Sequence, residues 1–126
     1  MRPEASDYIE KAMSDLATMD ILRSHDDYPK DSFCFHAQQY AEKMIKAKLA
    51  EMGIRPPKVH NLVLLLEEFP DSPEILRAVE IAGALESYAV DVRYPEMGIG
   101  RISEEDAEIA YVSAIEIPYL IGLYQR

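Results

Sequence analysis

The sequence predicts an all-α chain, an up-and-down bundle of four or five helices in one domain spanning residues 1–126. Three observations carry that prediction. Apolar residues recur at three- and four-residue spacing in long segments. Glycine is sparse, at 5 residues, and the charged residues are largely helix formers. The connections between the long segments are short, which favours antiparallel neighbours.

The first helix is expected from near Pro3, a residue suited to a first helical position, to about Arg23. Tyr8, Ile9, Ala12, Met13, Leu16 and Met19 form its apolar stripe. Ser24 to Lys30 is polar and contains Pro29, so it reads as a turn.

The second helix, Ser32 to Gly53, is the element around which the others pack. Asp31 or Ser32 is expected to cap it, and Gly53 to end it in a left-handed conformation. Cys34, Ala37, Ala41, Met44, Ile45 and Leu49 make a continuous apolar seam. Beside that seam lie His36, Gln39, Tyr40 and Lys43, with Gln38 and Glu42 as a further i,i+4 pair. An ordinary surface face would be mostly Glu and Lys. This one mixes imidazole, amides, phenol, carboxylate and ammonium.

Arg55-Pro56-Pro57-Lys58 is a stiff connector, because two prolines fix φ and remove donors. Asn61 is placed to cap a short helix, Leu62 to about Phe69, which Pro70 stops. Ser72-Pro73-Glu74 is a strong start signal for a fourth helix carrying Ile75, Leu76, Val79, Ala82, Leu85, Ala89 and Val92. Its end is expected near Arg93-Tyr94-Pro95. Met97-Gly98-Ile99-Gly100 is a loop, and no Lys-Ser/Thr follows it to make a phosphate loop. Ser103 to Asp106 resembles a capping box with Asp in place of the usual Glu or Gln.

The last helix is apolar on nearly every side, with Ile109, Val112, Tyr119, Leu120 and Leu123 on one and Tyr111, Ala114, Ile115 and Ile121 on another. Pro118 is expected to kink it. A helix of this kind needs cover on more than one side, and a second copy of the chain is the simplest source. A homodimer through the C-terminal helix is therefore expected; the rival is a helix wrapped by its own chain.

Composition excludes several functions. The lone cysteine, Cys34, rules out an intramolecular disulfide and a cysteine metal site, and it suits a reducing compartment. The charged N-terminus is no signal peptide, so the expected location is cytoplasmic. Ile109 to Tyr124 is shorter than the roughly 20 apolar residues of a membrane span, so no membrane association is expected. A net charge of −10 opposes nonspecific duplex binding. Yet Lys43, Lys46, Lys48, Arg55 and Lys58 are concentrated in one segment, either a solvated face with a basic loop or an anion-binding surface.

The candidate binding residues follow from that segment. His36, Gln39 and Lys43 suit an anionic or nucleobase ligand, lysine as a phosphate charge and the amide as a reader of a base edge. The alternative is that these groups satisfy one another inside the bundle. His60, with no obvious carboxylate partner in the sequence, reads equally as a capping residue. Arg93 suits either the last carbonyls of its helix or a phosphate. His25, His36 and His60 lack the spacing of a helical metal site, and no nucleophile elbow is present. Cys34 and His36 point about 200° apart on a helix and cannot pair.

These residues carry a family resemblance. Cys34-Phe35-His36-Ala37-Gln38-Gln39, then Ala41-Glu42-Lys43 and Lys46-Ala47, Pro57 with His60-Asn61-Leu62, and Arg93-Tyr94-Pro95 together resemble the HEPN domain. The match runs in order from Asp15-Leu16 to the Arg-Tyr-Pro triplet. The resemblance implies a helical bundle that commonly dimerises and binds nucleotide or RNA. It also implies a small nucleotidyltransferase partner in a toxin–antitoxin-like pair, and no cofactor. Many such domains are metal-independent ribonucleases, using an Arg and a His roughly four to six residues later. Here Arg93 fits the Arg, but Tyr94 to Ile102 contain no His, and Tyr94 is a poor acid–base group. Arg55 and His60 have the R-x4-H spacing but lie in the diproline connector.

Three functions are therefore expected in order. The first is a non-catalytic binding module using His36, Gln39, Lys43, His60, Arg93 and Tyr94. The second is a ribonuclease using Arg93 with Tyr94 or His60. The third is a scaffold that binds nothing.

Overall fold

The structure, a computed structural model, describes residues 1–93 and 102–126, and within them the side chains of all but 89–93. Five helices follow in order: α1 Pro3–Arg23, α2 Lys30–Glu51, α3 Leu62–Leu66, α4 Pro73–Arg93 and α5 Glu104–Leu120. The described residues contain no strand. The all-α bundle is as expected, and α2 is its axis: it touches α1, α3, α4 and α5.

α1 meets α2 through small residues. Ala5, Ala12 and Met19, seven apart, are buried along one line, and the two alanines let the helices lie close. Met13, expected in that stripe, is exposed, while Asp15 is buried in its place. Buried carboxylates need partners, and the one on Asp15 leads to the candidate site below.

α2 begins earlier than expected, at Lys30. Neither Asp31 nor Ser32 caps it; Pro29, extended at φ −70° and ψ 105°, precedes the first turn, and its carbonyl accepts from Phe33 N. Asp31 instead lies in the first turn, where its charge suits the helix dipole. Phe33 joins the turn to the bundle, 5.4 Å from the Tyr28 ring and stacked at 6.0 Å on Tyr111 of α5. The predicted seam, Cys34 to Leu49, is fully buried. At the far end Gly53 adopts φ +79°. Ile54 N donates to Leu49 O and Gly53 N to Ala50 O, the paired bonds of a left-handed helix stop.

The remaining helices use the expected starts. Asn61 Oδ1 accepts from Leu64 N, and Ser72 Oγ from Ile75 N, each at 3.0 Å. Ser103 and Asp106 form a reciprocal capping box. α3 ends at Leu66, short of Phe69, and the chain reaches Phe69 through single turns. In α4, Leu76 is exposed, and Ala78 and Ile81 take the buried positions.

α5 buries Ala107, Ala110, Ala114, Ile117 and Pro118 on one face. Pro118 stands in the last turn, and Gly122 at φ +79° ends the helix with Leu123 N donating to Pro118 O. Its other face leaves Ile109 at 44% and Val112 at 57% exposure. Among the described residues, no helix is long and apolar enough to cross a membrane.

Candidate functional site

α2 carries polar groups on both flanks of its seam, and each flank is organised by one buried carboxylate. On the α1 side, Asp15 receives two donors. His36 Nδ1 stands 2.8 Å from Oδ1, and Lys43 Nζ stands 2.5 Å from Oδ2. His36 and Lys43 are two turns apart on α2, so a single carboxylate between them ties both side chains to α1. Because the acceptor is a carboxylate, Nδ1 of His36 carries the proton. Its Nε2 and the remaining N–H groups of Lys43 are left for other partners, with the two side chains 29% and 24% exposed.

On the opposite flank Glu42 is the buried carboxylate. Its Oε2 accepts from Lys46 Nζ and from His60 Nδ1, both at 3.2 Å. The sequence gives His60 no obvious carboxylate; the fold supplies Glu42, because the connector after the two prolines turns back over α2. Gln38, one turn before Glu42, donates to His60 O at 3.0 Å and to Glu86 Oε1 at 3.2 Å. Glu86 of α4 also accepts from Leu62 N at 2.7 Å, which fixes the start of α3. Gln39 Nε2 donates to Gln38 Oε1 at 2.8 Å and closes the row. Glu42 Oε1 is buried with no hydrogen-bond partner among the described residues.

The predicted site residues fall into three groups. His36, Gln39 and Lys43 share one side of α2, as expected from their spacing. His60 joins the other flank through Glu42, and its side chain is 83% exposed. Arg93 is the last residue of α4; its side chain and all of Tyr94 lie outside the described residues, so any meeting of Lys43 with Arg93 lies outside them too. Asp15, which organises the first flank, is not a residue that sequence reasoning assigns to the site. The available signal is a charge on the Ala12–Met19 stripe, three residues past Ala12 and four before Met19.

The basic segment divides in the same way. Lys43 and Lys46 face Asp15 and Glu42, and Lys48 Nζ reaches Gly122 O at 3.4 Å. Burial pushes the Cys34 thiol up to about 12, with Asp106 and Asp31 adding to the shift, so this thiol stays protonated and is no nucleophile. Tyr40 is likewise raised, first by burial and then by the neighbouring tyrosines. Among the described residues no group of three His, Cys, Asp or Glu can hold a metal ion.

The chain as a whole is similar to known proteins. A family model described as HEPN domain matches residues 5–120. The crystal structure of TT1696 from Thermus thermophilus is similar at 28% identity and a TM-score of 0.80. The likeness covers 97% of this chain and 98% of that one. No curated protein matches the sequence.

Proposed function

The chain belongs to the HEPN domain family, and from that premise we propose that it is a nucleotide- or RNA-binding module acting in the cytoplasm. The observation that carries this reading is the Asp15 clamp. A carboxylate that takes one donor from His36 and one from Lys43 holds both at the protein surface in a fixed arrangement. Such preorganised donors lose little side-chain entropy when an anion arrives. Gln39, between them on the same side of α2, supplies the amide that reads a base edge.

The module is proposed to act as a homodimer, with Ile109 and Val112 on the open face of α5 as part of the contact. A small nucleotidyltransferase chain, in a toxin–antitoxin-like pair, is the proposed partner. The reading is non-catalytic, because no His follows Arg93 between residues 94 and 102. Isothermal titration with ATP, GTP and short RNAs tests it. Saturable heat lost in Lys43→Ala is the expected result; silence with every ligand overturns it.

One observation favours a second reading, that of a scaffold. Lys43, Lys46 and His60 all have internal carboxylate partners. Under that reading Lys43→Ala lowers stability and leaves every titration unchanged.

A further inference from the structure

The basic segment that begins on α2 continues to a residue whose surroundings differ from those of Lys43 and Lys46. Lys43 and Lys46 are ion-paired with Asp15 and Glu42. Arg55 makes no ion pair among the described residues, and neither does the side chain of Arg2, which the fold brings to the same place. The two arginines line one cleft of about 320 Å³ with Glu4, Gly53, Ile54 and Pro56. They are 53 positions apart in sequence and line the same cleft because α1 starts beside the end of α2.

The cleft is built, not merely a gap between side chains. Arg2 is anchored through its backbone, whose N–H donates to Glu51 Oε2 at 3.0 Å. That contact is to the main chain, and the guanidinium itself makes no ion pair among the described residues, although the Glu51 carboxylate keeps its charge nearby. The guanidinium lies against Gly53: a Cβ at that position would stand 3.2 Å from Nη2 and 3.5 Å from Cζ. Gly53 therefore serves twice, permitting φ +79° and leaving room for Arg2. On the other side, Pro56 and Pro57 stiffen the chain just after Arg55. The helix-end carbonyls of Leu49 and Ala50 already accept from Ile54 and Gly53. What the cleft offers a ligand is a lining that includes two arginines beside the apolar Ile54 and Pro56.

We propose that the Arg2–Arg55 cleft is a binding site for the phosphate group of a small phosphate ester. Guanidinium matches phosphate oxygens in bidentate fashion, and two of them on one cleft suit a dianion better than a carboxylate. The volume is at the lower end of small-molecule pockets, enough for a phosphate and part of its organic group. Glu4 stands at the same cleft and opposes an anion, which sets the affinity low and makes Glu4 diagnostic. The site does not depend on His36 or Lys43 and stands or falls separately from the Asp15 clamp.

The test is an NMR titration of the full chain with inorganic phosphate and with AMP, each to about 10 mM, since a modest two-arginine site belongs in the millimolar range or tighter. Saturable shifts at the amides of Gly53, Ile54 and Arg55 are expected. Arg2→Ala and Arg55→Ala should each weaken binding about tenfold, the loss of charge-assisted hydrogen bonds, while Glu4→Gln should tighten it. AMP binding more tightly than phosphate identifies an ester as the ligand; equal affinities identify the free anion, and the ester assignment falls. Absence of shifts at Gly53 to Arg55 overturns the site, as does binding unaltered in a folded Arg2→Ala/Arg55→Ala double variant, its fold checked by thermal melting.

Discussion

The two flanks of α2 put similar groups to different degrees of use. At Asp15 each carboxylate oxygen has a cationic or imidazole donor, and those donors come from one helix. At Glu42 both donors crowd onto Oε2, and Oε1 is left buried without a partner among the described residues. The first arrangement is complete and locks α1 to α2. The second is half-satisfied, and a half-satisfied buried carboxylate is worth less than an apolar side chain of the same size. The number of polar residues on a helix face thus says little about stability; which oxygens are left over decides it.

The largest effect is expected at the complete flank. Asp15→Ala leaves Lys43 and His36 without their shared acceptor between α1 and α2. Breaking a buried pair costs about 3–5 kcal/mol, and the partial exposure of both donors lowers the expected loss to about 2–3 kcal/mol. Urea denaturation measures it. A loss near zero would show that the clamp is a surface pair and would remove the contrast between the flanks.

The seam between the flanks supplies a reference that titrates. The buried Cys34 thiol has its pKa raised from 9.0 to about 12. For an acid whose folded pKa is raised, the neutral form favours the folded state. Stability is therefore intact below the unfolded pKa and declines as pH rises from about 9 toward about 12, by at most about 1.4 kcal/mol per pH unit for one group. Denaturation at pH 8, 9.5 and 10.5 should show that fall, and Cys34→Ala should make the slope shallower. Tyr40, shifted in the same direction, keeps part of it.

Much of this molecule is legible in its sequence. The α2 seam, the Gly53 stop, the Asn61 and Ser72 caps and the Ser103–Asp106 box depend on local spacing, and the fold has them where local chemistry puts them. Asp15 is illegible because a carboxylate on a helix is ordinarily on the surface. Its burial depends on Ala5 and Ala12 drawing α1 close to α2, a tertiary fact. His60 is illegible for a similar reason, since Glu42 lies 18 positions away and meets it only when the connector folds back. On α5, sequence hydrophobicity indicates cover on all sides, but Ile109 and Val112 stay open in the single chain. They are the residues that the proposed dimer would use.

At the incomplete flank the expected sign is different. The double variant Glu42→Met/Lys46→Met removes the orphaned Oε1 together with the Lys46 ammonium and keeps the volume, so no unpaired buried charge is left behind. Stability should change by less than about 1 kcal/mol in either direction, as when a buried ion pair is replaced by apolar groups. A loss as large as that of Asp15→Ala would mean that Glu42 Oε1 has a donor in solution, such as an ordered water, and that both flanks are complete.

The smallest effect separates His60 from the carboxylate it touches. Its ring is mostly exposed, so the 3.2 Å contact with Glu42 is a screened surface interaction on the histidine side, although Glu42 itself is buried. Exposed pairs of this kind contribute about 0–1 kcal/mol, and His60→Ala should cost no more than about 0.5 kcal/mol. Lys46 still neutralises Glu42 in that variant, and Gln38 loses nothing, because it donates to the His60 backbone carbonyl, which alanine retains. Urea denaturation of His60→Ala beside Asp15→Ala therefore compares how firmly the connector and α1 are held to α2. If His60→Ala equals or exceeds Asp15→Ala, the connector and not α1 is the element that α2 holds most firmly.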